Sequence, residues 1–282
     1  MRSLYSAASG MAANQYKLDT ISNNMANLNT TGYKTQDVQF KDMLYAQINQ
    51  RPDVTALTGR VTGDGLAIGH GVLATGVSKA FTQGSLQETG QKLDVAIEGD
   101  GFFVIEPNDT AQGLEEMALT RDGSFKISVD EFGDNYLVAS NGMAVHDMIN
   151  DDRIVIGSDI RLDTVSINES GLVTAKDVEG ESVELGRIGL VKIGDPNANL
   201  QAVGENLYRL VNGFNADQVT EDLTDLPTNE RPMIKQGFLE QSNVDMTRQM
   251  TDMIVAQRAY SMNVRALQTA DQMMGLANNL RG

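Results

Sequence analysis

Residues 4–28 read LYSAASGMAANQYKLDTISNNMANL and place apolar side chains on a seven-residue repeat. The residues on the repeat, or three positions after it, are Leu4, Ala7, Met11, Leu18, Ile21, Met25 and Leu28. This spacing is typical of a helix that buries one apolar seam against a second helix, as in a coiled coil. Residues 1–34 are therefore predicted to form a helix that begins near Ser3 and ends between Asn29 and Gly32, with Gly32 as a left-handed C-cap.

Residues 242–282 carry a second seam of the same kind. Its members are Met246, Met250, Met253, Tyr260, Val264, Leu267 and Met274. The run from Ser242 to Asp245 fits a capping box, in which Ser242 covers an amide of the first turn and Asp245 reaches back. We expect up to about 36 helical residues, or about 54 Å of helix. The two seams are predicted to form a subunit interface, either with each other or with neighbouring copies.

The middle of the chain has a different pattern, in which short alternating apolar runs are separated by glycine and turn dipeptides. This pattern predicts a central, mostly antiparallel β domain over residues 76–225. Residues 35–75 are predicted to be an extended connector and residues 226–241 a return connector. The predicted fold class is α+β, with long terminal helices that form a coiled-coil-like region around a central β domain.

The negative charge of the chain is concentrated in its central region. The formal net charge is −16, but residues 1–34 sum to +2 and residues 242–282 to +1, which leaves −19 on residues 35–241. Near-neutral ends can pack against copies of themselves, whereas an acidic exterior disfavours nucleic acid and anionic lipid. No apolar run approaches the roughly 20 residues that span a bilayer, and the N-terminus lacks the apolar region of a cleaved signal peptide.

The sequence offers little for catalysis or metal binding. Cysteine is absent, and the two histidines, His70 and His146, are far apart and are expected to be ordinary surface or turn residues. No nucleophile elbow and no phosphate-binding loop occurs. We therefore expect no cofactor, no metal and no enzymatic activity, with a wall hydrolase as the enzymatic alternative.

Six segments together carry a family resemblance. Residues 21–34, ISNNMANLNTTGYK, closely resemble the N-terminal signature of bacterial flagellar rod and hook proteins. The other five segments that are similar to this family are residues 94–104, 120–125, 204–208, 236–244 and 256–260. Since hook subunits are usually longer, the length of the chain favours a rod subunit, and residues 45–71 resemble the extra stretch of distal rod subunits.

The resemblance implies a structural subunit that polymerises into a rigid hollow shaft, which transmits torque and passes exported subunits. It implies location in the flagellar basal body outside the cytoplasm, and export without a cleaved signal peptide. The implied partners are other copies of the chain, proximal rod and hook proteins, the export apparatus and, in cells with two membranes, ring proteins around the rod. The terminal helices are expected to be disordered in the free subunit and to fold on assembly. The alternatives are a proximal rod or hook subunit and an exported β-rich adhesin with coiled-coil ends.

Overall fold

The computed structural model describes residues 2–43, 45–48, 66–106, 117–129, 135–148, 152–157, 160–211, 220–221 and 232–279. Two long helices lie at the ends of the chain, α1 over Arg2–Ala26 and α3 over Met246–Asn279. A single helical turn, α2, covers Pro196–Asn199, and a 3₁₀ turn covers Leu162–Thr164. The α+β class is confirmed, whereas coiled-coil character stays a prediction.

Short strands occupy the chain between the two long helices. In chain order they are β1 Gln36–Asp42, β2 Tyr45–Ile48, β3 Leu66–Gly69, β4 Val72–Lys79, β5 Leu86–Glu88, β6 Val95–Glu98, β7 Phe102–Glu106, β8 Ala118–Thr120, β9 Lys126–Val129, β10 Asn135–Val138, β11 Ala144–Asp147, β12 Asp152–Arg153, β13 Val155–Ile156, β14 Ser166–Ile167, β15 Leu172–Lys176, β16 Ser182–Arg187, β17 Leu190–Ile193, β18 Leu200–Gly204, β19 Leu207–Leu210, β20 Thr220–Glu221, β21 Met233–Gln236 and β22 Phe238–Glu240.

The largest sheet is antiparallel and follows the order β13-β10-β11-β7-β8-β19-β18, with β9, β12, β17 and β20 attached to it. Smaller antiparallel pairs join strands that are distant in sequence, since β21 pairs with β6 and β22 pairs with β5. The strands β14, β15 and β16 form a separate three-stranded meander. The predicted antiparallel β region is therefore present.

The β strands bury their apolar residues in two clusters. The larger cluster is centred on Phe103, Ile105, Leu137 and Val145, and the smaller one on Phe102 and neighbouring side chains. Strands β6 and β7 are buried on both faces, which explains why their sequences read as continuous apolar runs rather than alternating ones. Edge-to-face packing of aromatic rings adds to burial in both clusters.

Contacts divide the chain into two compact units. The helical unit contains Met1–Met25, Gln36–Ser78 and Asp245–Gly282, and the β unit contains Ala26–Thr35 and Lys79–Val244. The predicted division into five segments stays a prediction. Within this grouping, residues 26–35 pack with the β strands, although the sequence placed them with the N-terminal helix.

The end of α1 differs from the prediction. The helix ends at Ala26, and residues 27–33 form turns in which the Thr30 amide donates to the Asn27 carbonyl and the Tyr33 amide to the Thr30 carbonyl. Gly32 does have a positive φ of 67°, but it lies beyond the helix and does not cap it. A Cβ at Gly32 would lie 2.8 Å from the Asp122 amide nitrogen, so glycine permits a close approach of two backbones.

Candidate assembly interface

Helix α3 begins with a side-chain cap. The Asp245 carboxylate accepts hydrogen bonds from the amides of Thr247 at 2.8 Å and Arg248 at 3.2 Å. These are the second and third helical residues, and their amides have no partner within the helix. The Ser242 hydroxyl instead accepts from the Val244 amide at 3.4 Å, ahead of the helix. The capping box predicted around Ser242 is therefore wrong, and Asp245 is the N-cap.

Helices α1 and α3 approach each other at two points. The Asn24 side-chain amide donates to the Gln249 side-chain oxygen Oε1 at 3.3 Å, and a Cβ at Gly10 would lie 2.9 Å from the side-chain nitrogen Nδ2 of Asn263. The two points are 14 residues apart on each helix and run in opposite directions, so the helices are antiparallel. Glycine at position 10 leaves room for the Asn263 side chain.

The face of α3 toward α1 repeats in steps of four and three residues, as Gln249, Met253, Ala256, Tyr260, Asn263 and Leu267. Gln249 and Ala256 are buried, and the other four are half-buried. Three of the predicted seam residues lie on this face. The other three residues of this face, Gln249, Ala256 and Asn263, are polar or small.

The fourteen predicted interface residues differ in exposure. Ala7 and Ile21 are buried, and the half-buried ones are Leu4, Met11, Leu18, Met25, Leu28, Met253, Tyr260, Val264 and Leu267. Met246, Met250 and Met274 are exposed. Met274 lies eleven residues beyond Asn263, whereas α1 extends only eight residues before Gly10. No residue of α1 therefore lies opposite Met274. The role of all fourteen in contacts between subunits stays a prediction.

A second apolar surface on α3 was not predicted from the sequence. Ile254, Val255, Met262, Met273 and Leu276 are between 52% and 65% exposed. Because a helix has 3.6 residues per turn, these five side chains lie on the side of α3 opposite α1. We call them the outer stripe. The helix is thus apolar on two sides, and of the residues that the structure describes, only those facing α1 cover one of them.

A groove lies on α1, beside the two-stranded ribbon of β1 and β4. The ribbon is antiparallel, since the Met43 amide donates to the Gly71 carbonyl and the Ala80 amide to the Thr35 carbonyl. The groove has a volume of about 570 Å³ and is lined by Ala12, Ala13 and Tyr16 of α1 and by residues of the ribbon that include Met43, Leu73 and Val77. Its walls are mostly apolar, and Tyr16, Leu73 and Val77 are more than half exposed.

Within the β unit, a buried ion cluster joins three distant segments of the chain. The Lys34 ammonium lies 2.7 Å from one oxygen of Glu240, and the Arg121 guanidinium lies 3.2 Å from the other. The Gly84 amide also donates to Glu240, and Lys34 donates to the Thr82 carbonyl. All three charged side chains are buried. The segments before β1 and before α3 are thereby fixed to the β strands.

Burial changes the ionisation of groups around this cluster. Desolvation lowers the pKa of Lys34, and the Glu240 carboxylate opposes that shift. Burial raises the pKa of Tyr33 to about 12 and also raises the pKa of Tyr208. Tyr208 packs edge-to-face with Phe81 and Phe102, and Lys79 lies 4.5 Å above its ring. The surroundings favour neutral phenols.

One of the two histidines, His146, does not lie at the surface or in a turn as the sequence predicted. His146 is buried in β11, with its Nδ1 atom 3.3 Å from a Glu106 oxygen, so it is not a surface or turn residue. His70 is exposed between β3 and β4. Among the residues whose positions are described, no group of three His, Cys, Asp or Glu side chains could hold a metal ion. Within the same part of the chain, no helix is long and apolar enough to cross a membrane.

Comparison with known families matches three parts of the chain. Residues 4–34 match the family described as flagella basal body rod protein. Residues 96–175 match the D1 domain of flagellar hook protein FlgE/F/G, and residues 235–280 match the C-terminal family of flagellar basal body rod FlgEFG proteins. The first match contains most of α1, and the last contains all of α3.

Full-length relatives agree with these matches. Flagellar basal-body rod protein FlgG of Borreliella burgdorferi is 39% identical over 283 residues, which cover 100% of this chain and 99% of the relative. FlgG of Bacillus subtilis is 37% identical over 285 residues, covering 100% and 99%. The flagellar hook-basal body complex protein FlhP of Bacillus subtilis is 31% identical over 286 residues, covering both chains fully. The chain belongs to the flagellar rod and hook protein family, and it is similar over its whole length to flagellar basal-body rod proteins.

Proposed function

We propose that the chain is a structural subunit of the flagellar basal-body rod and that it polymerises through its helical unit. The observation that carries this proposal is the outer stripe of α3. Its five apolar side chains are all more than half exposed on one side of the helix, in two groups at residues 254–262 and 273–276, and exposed apolar groups rimmed by polar residues mark interaction sites on soluble proteins. A helix with apolar residues on two opposite sides can contact α1 of its own chain and a neighbouring subunit at the same time.

The energetics favour a polymer over an isolated pair of subunits. Burying the exposed part of five large apolar side chains is worth roughly 4–9 kcal/mol gross, at about 1.5–3 kcal/mol for each full side chain. Association itself costs on the order of 4–15 kcal/mol. One stripe therefore gives a weak contact. A helical lattice, in which each subunit touches several neighbours, makes many such contacts together, and the fourteen predicted seam residues would add to them.

The finer proposal is a distal rod subunit that forms a rigid, hollow shaft outside the cytoplasm. The names of the relatives support a rod subunit, and the 34-residue length of α3 suits a continuous wall of helices. Its partners would be other copies, proximal rod and hook proteins, the export apparatus and, where there are two membranes, ring proteins. Export would not require a cleaved signal peptide, and terminal helices that fold on assembly would suit passage through a narrow channel.

Electron microscopy of concentrated full-length protein tests this proposal. We expect straight, hollow filaments from the unchanged chain. The variant Ile254→Gln with Met262→Gln should remain as dispersed particles, because it makes the outer stripe polar. The matched control is Val178→Gln with Val203→Gln, which changes two exposed valines of the β unit and should still form filaments.

Other results of this experiment would contradict the proposal or favour an alternative. Curved filaments would move the assignment toward a hook subunit, an alternative favoured by the similarity to a hook-basal body complex protein. Filaments from the outer-stripe variant would remove the observation on which the proposal rests. Dispersed particles from every variant, under conditions that include a preformed rod as template, would contradict a rod function.

A further inference from the structure

We propose that the outer stripe of α3 docks into the groove between α1 and the β1–β4 ribbon of a second copy of this chain. The inference rests on the proposed function and deepens it, because it names the two surfaces that meet. Both surfaces belong to the helical unit, and neither is covered by any described residue of its own chain.

The dimensions of the two surfaces agree. The groove follows α1 from Ser9 to Thr20, which is twelve residues and about 16 Å of helix. The part of α3 that combines apolar and basic side chains runs from Ile254 to Arg265, also twelve residues. A volume of about 570 Å³ is within the range of 300–1,000 Å³ that is usual for pockets that enclose apolar groups. A few side chains of the stripe would fill it.

The charges are complementary. Arg258 and Arg265 lie on the same side of α3 as the outer stripe, and the only acidic residues of the helix, Asp252 and Asp271, lie on other sides. The stripe side therefore carries two positive charges and no negative one.

The rim of the groove carries a net negative charge. Two exposed acidic residues border the groove: Asp19 lies on α1 next to the lining Thr20, and Asp42 is on the same face of β1 as the lining Val38. With Lys17 of α1, the rim has a net charge of −1. Rim charges of opposite sign contribute orientation and association rate more than affinity, so the apolar contacts would supply most of the binding.

The geometry explains why the product would be a polymer. Stripe and groove are different surfaces, so each copy can offer its stripe to one neighbour and its groove to another. In a heterologous contact of this kind, two bound copies still have one free stripe and one free groove. Further copies can therefore add, which generates a helical filament unless the rotation closes a ring. An isologous contact of stripe with stripe would instead stop at two copies.

Disulfide trapping tests the pairing, because the chain has no cysteine of its own. One full-length variant carries Met262→Cys on the stripe, and another carries Leu73→Cys in the groove. After mild oxidation, an equal mixture of the two should give a covalent dimer at a yield at least tenfold above that of either variant alone. A chain with both changes should give a ladder of larger covalent species. A disulfide requires Cα atoms to lie about 4.4–6.8 Å apart, so the trap reports direct contact.

The control replaces the stripe cysteine with Val178→Cys, a more exposed site in the β unit, and mixes that variant with Leu73→Cys. Equal dimer yields in the control and in the test mixture would overturn the pairing. Efficient dimerisation of Met262→Cys alone would also overturn it, since that result requires stripe-to-stripe contact. Micrographs of the same samples separate the two proposals: filaments without the trapped dimer contradict only the pairing, and a trapped dimer without filaments contradicts only the rod function.

Discussion

The β unit and the helical unit use their apolar residues in different ways. In the β unit, residues such as Phe103, Ile105 and Val145 are fully buried, and even three charged side chains are enclosed and paired. In the helical unit, α3 leaves large apolar side chains at half to two-thirds exposure. The difference teaches that folding of the single chain depends chiefly on the β unit, whereas the helical unit keeps apolar surface for a partner.

The largest expected loss of stability comes from breaking the buried ion cluster. Glu240→Ala leaves Lys34 and Arg121 as two buried cations without their shared carboxylate. Removing one partner of a buried ion pair typically costs about 3–5 kcal/mol. We expect a loss of that size in the free energy of unfolding, measured by urea denaturation with hydrogen exchange of the β strands as the signal from the β unit.

Glu98→Ala is the matched control for this change. Glu98 also pairs with a lysine in the β unit, Lys235, at 2.7 Å, but both side chains are nearly half exposed. Exposed pairs are worth about 0–1 kcal/mol. Similar losses for the two variants would contradict the view that burial makes the Glu240 cluster important.

The next effect is a loss of stability at high pH. The pKa of Tyr33 is raised from 10.0 to about 12 in the folded chain, so the folded state keeps a proton that the unfolded state releases. The contribution is complete below pH 10 and disappears as the pH rises from 10 to 12, and it amounts to about 2–3 kcal/mol.

Tyr33→Phe isolates this contribution, because a phenylalanine cannot ionise. The difference in unfolding free energy between the variant and the unchanged chain should be constant below pH 10 and should shift by about 2–3 kcal/mol in favour of the variant by pH 12. The main cause of the raised pKa of Tyr208 is burial, which is the same in both proteins, and the charge of an ionised Tyr33 raises that pKa further only in the unchanged chain. A difference that is independent of pH would show that the Tyr33 phenol is not protected.

A smaller effect is expected at the start of α3, in the helical unit. Asp245→Ala removes the side chain that accepts from the Thr247 and Arg248 amides. Loss of an N-cap costs about 1 kcal/mol. In assembled protein, where α3 is expected to be folded, hydrogen exchange of its first turn should accelerate about fivefold, while the β unit keeps its protection.

Ser242→Ala is the natural control, since the sequence pattern identified Ser242 as the cap. Its hydroxyl makes only a 3.4 Å contact with the Val244 amide, so we expect a change of a few tenths of a kcal/mol, as for surface substitutions away from such features. A larger loss for Ser242→Ala than for Asp245→Ala would restore the predicted capping box.

The sequence predicted features that depend on local periodicity. The apolar repeats predicted the two terminal helices, and the alternating runs predicted the central antiparallel β strands. The outer stripe was not predicted because Ile254 and Val255 are off the repeat, and a sequence does not report which of two apolar sides is covered. The ion cluster was not predicted because Lys34, Arg121 and Glu240 are separated by 87 and 119 residues in the sequence, and only the fold brings them together.

The smallest expected effect concerns the contact between α1 and α3, where two physical terms nearly cancel. Alanine is preferred over glycine inside a helix by about 1 kcal/mol, so Gly10→Ala would stabilise α1 by itself. The new Cβ would, however, lie 2.9 Å from the Asn263 amide nitrogen, which forces that side chain to move. We expect a net change close to zero.

Asn263→Ala removes the obstacle, so Gly10→Ala in that background should show the full gain of about 1 kcal/mol. A double-mutant cycle read by circular dichroism at 222 nm measures the coupling between the two positions. A full gain from Gly10→Ala alone would mean that the helices do not pack at this point, and that the helical unit is looser than the antiparallel contacts indicate.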